Sequence, residues 1–173
     1  MSTSKLTPDR WIAAGFDALQ MRGPTALAAE PLARQLGTTK GSFYWHFKDV
    51  PAYHDALLRQ WQAEALAEVL DLLRSDGSAD QRLRQFGRTI LSDPSETALR
   101  LWSRTTPQVA ATLAEVDAER LTYLTHLLRQ LGLRNPAFAR ALLASLIGLP
   151  QLSNDEDAEA AFGALVDTVL ALS

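Results

Sequence analysis

Four prolines in this chain each follow a residue whose side chain can cap a helix: Thr7-Pro8, Asp93-Pro94, Thr106-Pro107 and Asn135-Pro136. Proline suits the first helical position, where no intrahelical N–H is needed, and Thr, Asp or Asn before it can accept a bond from the open N–H groups of the first turn. Each pair marks a helix start. Asp49 supplies a fifth, with Pro51 in the first turn, and Asp93 followed three residues later by Glu96 has the form of a capping box. No stretch alternates apolar and polar residues as a half-buried strand does. An all-α fold is expected.

Apolar spacing fills in the helices between these starts. Ile12, Phe16 and Leu19 form the inner face of a first helix, which Gly23-Pro24 ends. A long helix runs from Asp49 to about Arg74, with Tyr53, Leu57, Trp61, Leu66 and Leu70 along one side, until SDGS breaks it. Further helices fit residues 79–92, 94–104, 107–131, 136–149 and 156–171. Between Gly23 and Asp49 the grain is finer: a short helix near Pro31 to Leu36, a tight turn at Gly37-Thr38, and a second short helix from Thr39 to about Trp45. Two brief helices joined by a glycine-containing turn are a helix-turn-helix, whose second helix enters the DNA major groove.

Charge agrees with that placement. Residues 1–60 hold seven Lys/Arg against five Asp/Glu, whereas the rest holds ten against fifteen, so the anionic partner belongs at the N-terminal end. The absence of cysteine removes disulfides, thiolate metal sites and a cysteine nucleophile. The start carries no signal-peptide run, and the most apolar later stretch, 141–149, is too short to span a bilayer, so a cytoplasmic location without membrane contact is expected.

The second short helix has two sides. Phe43 and Phe47, four apart, point inward with Leu32 and Leu36, while Lys40 and Tyr44 share another face beside Thr39 and Ser42. Thr38, Thr39 and Ser42 are small and polar, and Gly41 removes a side chain that would hold a groove away. Lys40 can reach guanine O6 and N7 or a phosphate; Tyr44, His46 and Lys48 suit phosphate oxygens, which fix register. Trp45 is expected to pack at the domain's edge.

The block LGTTKGSFYWHFK at 36–48, with Phe16, Gly23, Leu32-Ala33 and the long helix that follows, resembles the TetR family of transcriptional regulators. The likeness is strong over the first sixty residues and looser beyond, where VDAERLTYLTHLLRQLGL is similar to the ligand-binding domain of some members. It implies a DNA-binding domain over residues 1–50, an effector-binding and dimerisation domain over 51–173, and a homodimeric repressor released from a palindromic double-stranded operator by a small molecule. Two positions depart from the family pattern: Ala28 stands where a capping threonine is usual, and Val50 where a lysine is usual. Both remove phosphate contacts, and Glu30 adds a repelling charge.

The rest of the chain is read for two jobs. The helix at 136–149 is apolar nearly all round and must be buried on more than one side. Phe138, Leu142 and Leu146, with Phe162, Leu165 and Val169 of the last helix, are therefore expected to form a four-helix dimer interface. Effector candidates that combine apolar bodies with polar tips are Phe86, Trp102, Tyr123 and His126. Arg120 is either a counter-charge for an acidic effector or an arginine that snorkels to the rim. Enzyme chemistry has little basis. His54 and Asp55 point about 100° apart and read as solvated, Ser42 and His46 lack a nucleophile elbow, and no His/Asp/Glu set has metal-ligand spacing. Neither metal nor cofactor is expected. An activator of the same fold and a helical interaction adaptor remain as alternatives.

Overall fold

The computed structural model describes residues 6–152 and 155–172, and among these every regular element is helical. The helices are α1 (Pro8–Arg22), α2 (Ala29–Gln35), α3 (Lys40–Tyr44), α4 (Val50–Arg74), α5 (Ala79–Leu91), α6 (Pro94–Ser103), α7 (Pro107–Gln130), α8 (Pro136–Gly148) and α9 (Asp155–Ala171). All five starts expected from the capping residues are helix starts. Thr7, Asp49, Asp93 and Asn135 accept from the backbone N–H of Arg10, Ala52, Ser95 and Ala137 at 3.4, 2.8, 2.8 and 3.0 Å. Thr106 stands at the fifth without a side-chain bond.

The capping box at Asp93 does not form. The Asp93 N–H donates to Ile90 O at 3.3 Å, and Glu96 turns away into the protein, where it meets two arginines. A buried carboxylate gains more from two guanidiniums than from one backbone amide. On α4, Tyr53, Leu57 and Trp61 lie inside as spaced, but Leu70 is exposed while Val69 and Leu72 are buried. Over twenty-five residues a 3.6 period drifts off any straight line of side chains, which moves the inner face around the helix.

Two apolar clusters hold the helices. One joins α1, α2 and α3 to the first half of α4, and continues through Leu99 and Trp102 of α6 to Val109, Leu113 and Val116 of α7. The other gathers α5, α8, α9 and the second half of α7 around Leu83, Phe86, Leu127, Leu142 and Phe162. Helix α7 spans both, so the N-terminal helices and the C-terminal bundle share one long strut.

The crossing of α1 over α4 depends on Gly15. A Cβ there would clash with Tyr53 Oη and come within 2.6 Å of Leu57 Cδ1. The close approach lets the buried Tyr53 hydroxyl donate to Trp11 O at 2.8 Å, and burial pushes that phenol's pKa well above its ordinary value. Gly15→Ala is expected to spread the two helices and cost about 1–3 kcal/mol, the range for overpacking. Urea unfolding checks it, and an unchanged midpoint would show that α1 rides on α4 with slack.

Candidate nucleic-acid interface

Helix α3 is five residues long, too short to hold its own shape in water. Its start is fixed by Thr39, whose hydroxyl accepts from Ser42 N at 3.3 Å. The turn before it needs Gly37, at φ 63, and is closed by Thr38 N donating to Ala33 O at 2.9 Å. Inward, Phe43 is 0% exposed, with the rings of Trp11, Tyr44, Phe47 and Tyr53 at 5.3–5.4 Å. Phe47 closes the same core against Tyr53 at 4.9 Å.

The opposite side is open. Lys40, Gly41, Tyr44, Trp45 and Lys48 are exposed, and Thr38, Ser42 and His46 are half-buried beside them. Lys40, Tyr44 and Lys48 have no side-chain hydrogen bond or ion pair among the described residues. At Gly41 a Cβ would meet only Thr39 Oγ1, at 3.6 Å, so packing within the chain does not demand glycine there. The face therefore offers cations, hydroxyls and a flat backbone together, a combination suited to phosphates and base edges.

Trp45 differs from expectation. It does not pack at an edge but stands 88% exposed, next in sequence to the exposed Tyr44. Its backbone is still helical, at φ -73 and ψ -24, and at about 100° per residue it lies about 200° around from the buried Phe43, so the rotation carries it outward. This was the one member of the face that sequence reasoning missed. Its position between Tyr44 and His46 was the available signal.

The two departures at the neighbouring helices are visible as well. Ala28 is the N-cap of α2 with no side-chain bond, and Glu30 is engaged with Arg34 at 3.2 Å rather than capping. Val50 opens α4 without a charge. His54 is not solvated: its Nε2 lies 2.9 Å from Leu27 O, and its ring packs edge-on against Trp102 at 5.0 Å. Asp55 accepts from Gln108.

The effector candidates separate sharply. Phe86, Trp102 and Tyr123 are buried in the apolar clusters, with Phe86 and Tyr123 ring to ring at 5.5 Å. Arg120 neither snorkels nor waits for an acidic ligand. It is 2% exposed, bonds both oxygens of Glu96 at 3.0 and 3.1 Å, and lies 5.8 Å from the Trp61 ring centre. Arg100 joins Glu96 to Asp117; burial works against its charge, but bonds to Asp117 and Glu96 outweigh that and hold it more firmly protonated than a free arginine. The charge of Arg120 is already answered. His126 alone of the five is exposed, on the outer face of α7.

Cavities border α6 instead. One of about 220 Å³ lies against Ile90, Thr97, Arg100 and Ile147. A cleft of about 320 Å³ opens on the other side of the α5–α6 turn, beside Phe16, Trp61, Glu68 and Asp93. Burial and then the Asp93 charge push the Glu68 carboxyl up. Helix α6 is tied to the N-terminal helices by Gln20 donating to Ser95 Oγ at 3.0 Å, and to α4 by Trp61 Nε1 donating to Asp93 at 3.0 Å.

The expected dimer residues are mostly occupied within one copy. Leu142, Leu146, Phe162 and Val169 are 1–5% exposed in the chain's own core, Phe138 is half-buried, and Leu165 is 40% exposed. Their apolar character serves the packing of α8 and α9 on α5 and α7. The residues turned outward mix small and charged side chains: Ala137, Arg140, Ala141 and Ala144 on α8, and Glu159, Ala160, Ala164, Asp167 and Thr168 beside Leu165 on α9. Among the described residues no His/Asp/Glu group could hold a metal, and no helix is long and apolar enough to cross a membrane.

No protein-family model matches the chain. It is 38% identical over 61 residues to the class A tetracycline repressor of transposon 1721 from Escherichia coli, which is 35% of this chain but only 28% of that relative's length. Its fold is similar to that of a transcriptional regulator from Rhodococcus sp. Rha1, at TM-score 0.78 and 22% identity over 96% of this chain and 97% of the other. A TetR-family regulator from Streptomyces coelicolor gives 0.76 and 21% over 94% and 87%. A transcriptional regulator from Saccharomonospora viridis, solved with choline, gives 0.79 and 14% over 92% and 95%. The sequence likeness to that repressor is confined to those 61 residues, whereas the likeness of fold to these TetR-family and other transcriptional regulators extends over nearly the whole chain.

Proposed function

We propose that the protein is a homodimeric repressor that reads a palindromic DNA operator through α3 and releases it when a small molecule binds beside α6. The observation that carries this reading is the division of α3: phenylalanines locked on one side, and exposed Lys40, Tyr44, Trp45 and Lys48 on the other. Two such faces, one per subunit, enter successive major grooves on one side of the duplex. With so few cations each, a single head binds weakly, and joining two makes the second contact effectively intramolecular. The small outward residues Ala137, Ala141 and Ala144 of α8 and Ala160 and Ala164 of α9 support a two-fold contact through those helices.

Effector action is proposed to run through α6. A ligand in either cavity flanking the α5–α6 turn touches the helix whose Ser95 is bonded to Gln20 of α1. If it binds better with the heads set differently, operator affinity falls by that difference, and DNA weakens the ligand equally. Choline in the Saccharomonospora protein shows that this fold holds a small organic ligand in one neighbour.

Selection of bound duplexes from a random pool tests the reading, with a palindrome of two half-sites as the expected product. On that duplex, Lys40→Ala is expected to weaken binding about tenfold, the loss of one good base contact. Lys48→Ala should lower affinity for all sequences alike and make the salt slope shallower by about one unit. Enrichment of no sequence, or a Lys40 variant of native affinity, would remove the assignment of α3.

A further inference from the structure

The outer faces of α7 and α8 meet in a groove of about 390 Å³, within the roughly 300–1,000 Å³ of small-ligand pockets. Leu121, Pro136 and Ala139 give it apolar walls, and every ionisable group lining it is basic: His126, Arg129 and Arg140. No carboxylate borders it. In a chain of net charge -3, cations from two helices converge here without an acid to answer them.

The arginines are available. Arg84, Arg100 and Arg120 are held in ion pairs, but Arg129 and Arg140 are exposed and have no hydrogen bond or ion pair among the described residues. Brought to one groove they repel each other, and an anion between them reverses the sign of that interaction. Guanidinium forks match the paired oxygens of a carboxylate or a phosphate.

The neighbouring polar groups are sorted by their bonds. Thr122 donates to Ala118 O at 2.9 Å, so its proton is spent, whereas the Thr125 hydroxyl has no hydrogen-bond partner among the described residues and can donate to a ligand. Gln130 accepts from Arg82 through Oε1 at 2.6 Å, which leaves its amide nitrogen to donate to His126 Nε2 at 2.9 Å. His126 Nε2 is then an acceptor, and the ring's proton sits on Nδ1. The imidazole is thereby held as a donor toward whatever its other edge meets.

We propose that this groove binds a small organic anion, a carboxylate or phosphate monoester with a short apolar body, whose charged end is clamped by Arg129 and Arg140. The proposal rests on the lining of the groove and not on the DNA-binding reading. The walls of Leu121, Pro136 and Ala139 select for the body, and the two guanidiniums select for the charge.

The test is calorimetric titration of the whole protein at fixed ionic strength with benzoate, phenyl phosphate, inorganic phosphate and benzylammonium. Benzoate or phenyl phosphate is expected to bind saturably and to shift the Thr125 and His126 resonances, and the tighter of the two identifies the charged group. Inorganic phosphate should bind more weakly and benzylammonium not at all. Arg129→Gln and Arg140→Gln should each weaken binding about tenfold, with unfolding midpoints unchanged because both side chains are exposed. The proposal fails if neither organic anion saturates below about 10 mM, if benzylammonium binds equally, or if binding survives in the double variant. It fails too if the double variant binds nothing differently but changes the oligomeric state, which would assign the arginines to a contact between copies.

Discussion

Arg120→Met is expected to lower stability by about 3–5 kcal/mol, the cost of removing one partner from a buried ion pair. Methionine fills much of the same space, so the loss reports charge more than volume. Glu96, 5% exposed, would keep only Arg100, and the guanidinium over Trp61 would be gone. For a chain of this length each kcal/mol moves the melting temperature by about 2–4 °C, which predicts a fall of roughly 6–20 °C in a thermal scan.

The same physics predicts the rescue. Arg120→Met combined with Glu96→Leu removes both charges, leaving Arg100 with Asp117 at 2.6 Å. Replacing a buried pair by apolar residues of similar volume is often neutral or stabilising. The double variant should therefore recover most of the lost melting temperature, although the single one does not. A single variant that melts within about 2 °C of the parent would show that solvent reaches Glu96 readily. A double variant worse than the single one would show that the site does not accept an apolar side chain at 96 and that the ion pair itself holds α6 on α7.

This network also marks where sequence reading stopped. The helix starts were legible because capping and proline chemistry are local: Asp49, Asp93 and Asn135 act on residues two or three positions on. The two-sided character of α3 was legible because Phe43, Phe47, Lys40 and Tyr44 fall at helical spacing. The partners of Glu96 and Arg120 lie 24 residues apart on different helices, and no spacing rule predicts that they meet. The apolar residues of α8 and α9 posed a different difficulty. Leu142 and Phe162 were recognisably buried, but sequence does not say whether the cover is the same chain or another, and here α5 and α7 supply it. The exposure of Trp45 was legible by the same helical spacing, since a residue two on from Phe43 falls about 200° around the helix, opposite the buried side.

Phe43→Ala is expected to abolish the duplex binding proposed above while leaving the C-terminal bundle folded. Truncating a fully buried phenylalanine costs about 3–5 kcal/mol, and this ring sits at the centre of Trp11, Tyr44, Phe47 and Tyr53. Helix α3 cannot persist without it, since one turn of isolated helix is strongly disfavoured. The second apolar cluster contains none of those residues, so α5, α8 and α9 have no direct share in the loss. Hydrogen exchange should show residues 39–48 losing protection while amides of α8 and α9 keep it, and a mobility shift on the selected duplex should show no complex. Phe43→Leu, which retains most of the buried volume, should restore part of the binding. If Phe43→Ala instead binds the duplex with parental affinity, contact with DNA must order α3 by itself, and the aromatic core would stabilise the free protein without setting the geometry of recognition.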